Sequence, residues 1–142
     1  MPKLAMSLSL LATLSACADQ AGAPPLLSLD RLGMTAVTQL DSLPTPVVEV
    51  RDGRVVIQAH FGLGATGYAL TPHGTIEDGV IDLVVAAEMP AEMAGLQVLT
   101  AYAYRLATPV LEPGTWSLRL HHAVADEGDP EFILEQAVVV PR

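Results

Sequence analysis

The stretch Val47–Phe61 reads VVEVRDGRVVIQAHF. Two runs rich in β-branched residues flank Asp52-Gly53. Asp-Gly is a favoured pair for a two-residue type I′ turn. Both central residues there take positive φ, which glycine adopts freely and aspartate tolerates. A hairpin closed at this turn sets Val50 opposite Val55 and Val48 opposite Ile57 on one face, with Glu49 opposite Val56 on the other. Turn chemistry and polarity alternation agree, so the stretch predicts an antiparallel hairpin with one buried face.

Working outward, the same period-two pattern recurs. Gly67–Thr71 (GYALT) is a short candidate strand, and Gly79–Ala87 puts Ile81, Leu83, Val85 and Ala87 on one face. Val98–Leu106 groups Val98, Thr100, Tyr102 and Tyr104, and Thr115–Ala123 turns Trp116, Leu118 and Leu120 inward with Ser117 and Arg119 outward. Phe132–Val140 ends the series, and residues 26–43 offer a first strand near Thr35–Leu40. Turn residues separate the runs: PHG, MPAEMAG, EPG and DEGDP. A turn around Ala91–Ala94 is the one helix candidate after Pro46. Short strands with regular punctuation predict an all-β domain over residues 26–142. Its expected form is an antiparallel immunoglobulin-like β-sandwich of seven to eight strands, with a barrel as the alternative.

The chain of 142 residues carries a net charge of −9, which argues against nucleic acid and anionic membrane surfaces as partners and suits a soluble domain, or one that meets basic partners. Its only lysine is Lys3, and it has no asparagine. Beyond Lys3 there is no amine side chain for a Schiff base or a phosphate-binding loop, and there is no N-glycosylation site. One domain of this size can bury a working core without disulfides.

The start, MPKLAMSLSLLATLSAC, has one positive charge, an apolar run and small residues before Cys17, the only cysteine. That is the layout of a secretory signal. The run is shorter than the roughly 20 residues that span a bilayer. Leu14-Ser15-Ala16-Cys17 resembles the lipobox of bacterial lipoproteins. The resemblance implies removal of residues 1–16 and lipidation of Cys17 as the new amino terminus, with residues 17–25 forming the lipidated cysteine and a flexible tether. Several acyl chains, at about 0.8 kcal/mol per buried CH₂, make a stable membrane anchor. Ala18 after the cysteine favours the outer membrane, facing the periplasm or cell surface. A redox or zinc role would need a second thiol or a ligand cluster, and the sequence supplies neither.

Motifs for other chemistry lack their context. Gly62–Gly67 (GLGATG) fits a dinucleotide pattern, but Pro72 and Gly74 block the helix that must follow. His121 and His122 are adjacent on a strand and point to opposite faces, so they cannot readily chelate one ion. His122 falls on the Trp116 face and is expected to be buried or at a strand end. His60, His73, Met34, Met89 and Met93 show no tight metal-binding spacing. Asp126–Glu131 (DEGDPE) lacks the spacing of a calcium loop and reads as a solvated acidic turn. Ser28, Ser42 and Ser117 sit in no nucleophile elbow. The sequence therefore predicts a non-enzyme with no cofactor, no metal and no nucleic-acid partner.

The segment ATGYALTPHGTIEDGVIDLVVAAEMP…LQVLTAYAYRL, about residues 65–106, resembles the C-terminal domain of PrcB-type protease-complex subunits. The matching positions are Thr66, Gly67, Tyr68, Gly79, Pro90, Gln97, Leu99, Thr100 and Tyr102. Ala101 stands where that family has proline, and its second glycine is missing. The chain also resembles chagasin-type cysteine-protease inhibitors. Thr66, Gly67 and Tyr68 match their first inhibitory loop without its Asn-Pro, and LEPGTWSLRL matches the strand leading to a further loop. HHAVADEGDP replaces that loop, and Gly95 alone remains of their Gly-x-Gly loop. These resemblances imply a lipid-anchored extracytoplasmic module that binds another protein, such as a protease. The loops Gly62–Gly67 and Met89–Leu96 are the contact candidates, and Gly64, Thr66, Gly67, Tyr68, Pro90 and Gln97 the candidate binding residues. Two alternatives stay open: a structural envelope lipoprotein, and a periplasmic metal or small-ligand carrier.

Overall fold

The structure, a computed structural model, describes residues 26–90 and 95–142. The signal peptide, Cys17 and the tether fall outside the described residues, as does the turn around Ala91–Ala94. Eight strands run in chain order: β1 (Ser28–Ala36), β2 (Val47–Arg51), β3 (Arg54–Leu63), β4 (Ala69–Glu77), β5 (Val80–Glu88), β6 (Thr100–Ala107), β7 (Gly114–Val124) and β8 (Glu131–Val140). They form two four-stranded sheets, ordered β1-β6-β3-β2 and β4-β5-β7-β8. The inner faces meet in one core, so the fold is an all-β sandwich.

The hairpin forms in the expected register, with Val50 opposite Val55, Val48 opposite Ile57 and Glu49 opposite Val56. Asp52 and Gly53 take φ of 53° and 77°, the positive values a type I′ turn requires. Val55 and Ile57 are buried. From the second sheet Ile81, Leu83, Val85 and Ala87 face them, with Leu118 and Leu120 from β7. Each fully buried side chain of this kind contributes roughly 1.5–3 kcal/mol of transfer free energy, so the alternation read in β3, β5 and β7 is what holds the sheets together.

Four expectations need correction. The first strand is Ser28–Ala36, not Thr35–Leu40. β1 lies at a sheet edge and exposes nearly every residue, so no burial alternation marks it, and a register shift between Arg31 and Gly33 breaks its pairing with β6. β4 does not stop at Thr71 but runs through Pro72 and Gly74 to Glu77. It too is an edge strand, where proline need not supply a ladder donor. The turn after β4 falls at Asp78-Gly79, with φ of 52° and 76°, a second Asp-Gly signal of the kind already read at Asp52-Gly53. Val98 lies outside β6 and is exposed, unlike Thr100, Tyr102 and Tyr104, which are buried. Finally, the sheets are not wholly antiparallel, because β5 and β7 pair in parallel. The chain reaches that pairing by crossing to the other sheet as β6 before returning as β7. A parallel pair needs such a crossover, which local turn signals do not reveal.

Strand directions sort the loops to two ends. One end gathers the two Asp-Gly turns, the β6–β7 connection, Leu26 and the end of β8. The other gathers the β1–β2 segment, the β3–β4 turn, the β5–β6 connection and the β7–β8 turn.

Candidate binding site at the loop end of the sandwich

The second end holds most of the residues singled out by sequence. The Thr66 amide donates to the Leu96 carbonyl at 2.9 Å, and the Leu96 amide donates to Thr66 Oγ1 at 2.9 Å. This two-bond clasp joins the β3–β4 turn to the β5–β6 connection. Gly67 beside it has a φ of 91°, a value L side chains rarely adopt. Gly95 lies against the Thr66 carbonyl so closely that any Cβ would collide with backbone. Beneath the turn, the Tyr102 hydroxyl donates to the Ala65 carbonyl at 2.8 Å and accepts from the Tyr68 amide at 3.2 Å. A fully buried tyrosine of β6 thus sets the shape of the turn from inside.

The two loops expected to form a contact surface are therefore brought together. Thr66, Gly67 and Tyr68 form one side and Gly95–Gln97 the other. Gly64 is exposed with open space around it. Pro90 is half-buried at the end of a described run, and Gln97 is exposed. Leu96 is 72% exposed, with Val98, Leu99 and Leu40 exposed nearby in the chain or at the same end. Cys17 lies outside the described residues.

A cleft of about 530 Å³ opens at this end, lined by Gly64, Tyr68 and Gln97 together with residues not assigned a role in the sequence. Phe61 and His122 stack in its lining, ring centroids 4.1 Å apart and 8° from parallel. Glu127, Asp129 and Glu131 bring three carboxyl groups from the β7–β8 turn. A smaller cavity of about 240 Å³ shares Leu40, Phe61, Gly62, His122 and Glu131. Leu40 and Leu43 rest on Gly62, where a Cβ would meet them at 2.9 and 3.0 Å. Glycine at position 62 lets the β1–β2 segment close over β3.

A bulge decides what faces His122. Leu120 pairs with Leu134, but His121 pairs with Phe132, leaving Ile133 as the extra residue. An unbroken register would set Phe132 opposite His122. The bulge instead sets Glu131 there and sends Phe132 outward against His121, centroids 5.8 Å apart. Re-aiming one side chain is a common use of a bulge.

His122 is buried as the sequence expected, and its Nε2 meets the Tyr104 hydroxyl at 2.7 Å. Burial pulls the His122 pKa down to about 4 and pushes that of Tyr104 up well beyond its ordinary value. Both are neutral near pH 7. The described lining of the cleft holds no serine, cysteine, lysine or arginine. It offers aromatic faces, apolar walls and hydrogen-bond acceptors. No three His, Cys, Asp or Glu among the described residues stand close enough to hold a metal ion, and none of those residues forms a helix long and apolar enough to cross a membrane.

The sequence assigned Phe61 and Leu40 no role beyond strand positions, and Glu127, Asp129 and Glu131 read only as part of a solvated acidic turn. The alternation in β7 put His122 on the inner face, but no local signal brings Leu40 or Glu131 to it. Comparison with protein-family models, curated proteins and solved structures finds no match to this chain.

Proposed function

We propose that this chain is a membrane-anchored extracytoplasmic lipoprotein. In this reading its β-sandwich is a non-enzymatic module that binds another protein with the loop end. One observation carries the reading: the Thr66–Leu96 clasp fuses two loops into a single surface, with Leu96 exposed beside Gln97. Exposed apolar groups held on a tied-down loop favour a contact role over a purely structural one. Anchor geometry agrees with it. Leu26, which follows the tether, lies at the opposite end of strands up to 11 residues long, about 35 Å away at the usual rise. Residues 17–25 reach at most about 30 Å fully extended. A lipid on Cys17 holds the domain by its far end and leaves the loop end facing away from the bilayer. The acidic balance of the chain suits a basic partner. A protease is one candidate, by the resemblance of Thr66, Gly67 and Tyr68.

The test is formaldehyde cross-linking of the lipidated protein in its native membrane, followed by identification of what is recovered. Recovery of one stoichiometric partner, lost in a Thr66→Val/Leu96→Ser variant, supports the module. Recovery of abundant envelope proteins alone turns the reading to a structural lipoprotein. The 530 Å³ cleft also lies in the size range of small-ligand sites, which favours a carrier as the second reading. Thermal stabilisation by a small solute in the absence of any protein partner would select it.

A further inference from the structure

We propose that the cleft between the β3–β4 and β7–β8 turns receives the side chain of an arginine presented by an extended segment of the partner protein. This inference rests on the binding-module reading above.

The cleft is lined by buried aromatic rings on the inside and by exposed acids at its rim. The stacked Phe61–His122 pair supplies the floor, with the exposed Leu40 beside it. An arginine buries its methylene stem along such an apolar surface and keeps its guanidinium at a polar rim. Glu127, Asp129 and Glu131 supply the rim. Elsewhere Glu49, Glu135 and Asp82 each meet Arg51, Arg119 or His121. The three rim acids meet no cation among the described residues, and the lining itself contains none. Arg31 is turned onto the Tyr68 carbonyl at 3.0 Å and does not line the cleft.

The form of the rim selects the kind of cation. Among the described residues no three His, Cys, Asp or Glu stand close enough to hold a metal ion. Several separate carboxylates can be met by a guanidinium, whose five N–H donors spread over a plane. A lysine ammonium is a compact point charge, more strongly hydrated, and loses more on entering an apolar-lined cleft.

His122 gives an independent indication. Its side chain is buried, with the residue only 6% exposed, and it lines the cleft. Nε2 is engaged by Tyr104, while Nδ1 has no hydrogen-bond partner among the described residues and is not a buried orphan, so it is open to the cleft. A donor entering the cleft selects the tautomer in which Nε2–H donates to Tyr104 and Nδ1 accepts. The bulge at Ile133, which sets Glu131 rather than Phe132 opposite this ring, completes an acceptor pair at the entrance to the floor.

The test titrates acetyl-Gly-Arg-Gly-amide into the full chain in detergent, by calorimetry, with acetyl-Gly-citrulline-Gly-amide as the neutral isostere. The arginine peptide should bind saturably, at least about tenfold tighter than the citrulline peptide, and more weakly as salt is raised. An E127Q/D129N/E131Q variant, changed only at exposed positions, should keep its melting temperature and lose about tenfold or more in affinity. Equal binding of the two peptides, an unchanged triple variant, or no saturation by about 10 mM would overturn the proposal. Free arginine binding more tightly than the peptide would reassign the cleft to a small-ligand carrier and overturn it as well. If the triple variant still captures a cross-linked partner while no arginine peptide binds, the module reading stands and this inference falls.

Discussion

Thr66 and Leu96 hold each other by two hydrogen bonds, amide to carbonyl and amide to hydroxyl, each 2.9 Å long. The opposite end of the sandwich repeats the device: the Thr108 amide donates to the Val55 carbonyl at 3.0 Å, and the Val55 amide donates to Thr108 Oγ1 at 3.0 Å. In each case a threonine closes a loop onto a segment that is distant in sequence. The two clasps differ in burial, since Val55 and Thr108 are buried and Leu96 is exposed, and their energetic weight should differ accordingly.

Thr108→Val leaves the buried Val55 amide without its acceptor. An unpaired buried donor costs about 1–3 kcal/mol, so chemical denaturation should show a loss of that order. Thr66→Val removes an exposed bond that water can replace, and a loss of about 1 kcal/mol or less is expected. Equal losses at the two sites would show that burial does not set the weight of this clasp.

Gly95→Ala should be far worse than Gly62→Ala. The new Cβ at 95 would lie 1.8 Å from the Thr66 carbonyl oxygen, whereas at 62 its nearest neighbours are the side chains of Leu40 and Leu43, closest at their ends. Leucine termini can shift, and overpacking of that kind costs roughly 1–3 kcal/mol. Backbone cannot shift without opening the clasp. Protection of the Leu96 amide from hydrogen exchange, measured in both variants, should fall in Gly95→Ala and persist in Gly62→Ala.

Stability should fall between pH 6.5 and about 4 because of His122. Its folded pKa is lowered from 6.5 to about 4 by burial, so the unfolded chain takes up the proton first. The stabilisation is complete above pH 6.5 and is lost as pH falls toward 4, in all about 3 kcal/mol. Denaturation across this range should show a steeper pH dependence in the natural chain than in His122→Gln. Parallel curves would mean that the ring is hydrated in the folded protein.

Cys17→Ala should release the protein from membranes and stop removal of residues 1–16. Fractionation and mass spectrometry of the amino terminus check both. A variant that stays membrane-bound and is cut before residue 17 would show that Leu14-Ser15-Ala16-Cys17 is not read as a lipobox.

Much of the sandwich is legible because its signals are local. Asp52-Gly53 dictates a turn through φ, and the alternation in β3, β5 and β7 dictates which side chains are buried. The edge strands are less legible for a matching reason. β1 buries almost nothing, and β4 tolerates Pro72 because one side of it has no ladder to satisfy, so neither shows the pattern of a central strand. The candidate site divides in the same way. Thr66, Gly67 and Tyr68 stand out by their resemblance to protease-inhibitor and protease-complex loops, whereas Phe61 and Leu40 look like ordinary strand residues.

By itself, then, the sequence determined the all-β class, the first hairpin and its register, and the buried faces of the central strands. These follow from backbone sterics and from side-chain alternation over a few residues. Only the tertiary structure decided the parallel β5–β7 pair, the pairing of Thr66 with Leu96, and the meeting of Leu40, His122 and Glu131 around one cleft. Those depend on which distant strands become neighbours. The bulge at Ile133 depends on the same thing, because register on an inner face is set by the opposing sheet and not by the strand alone.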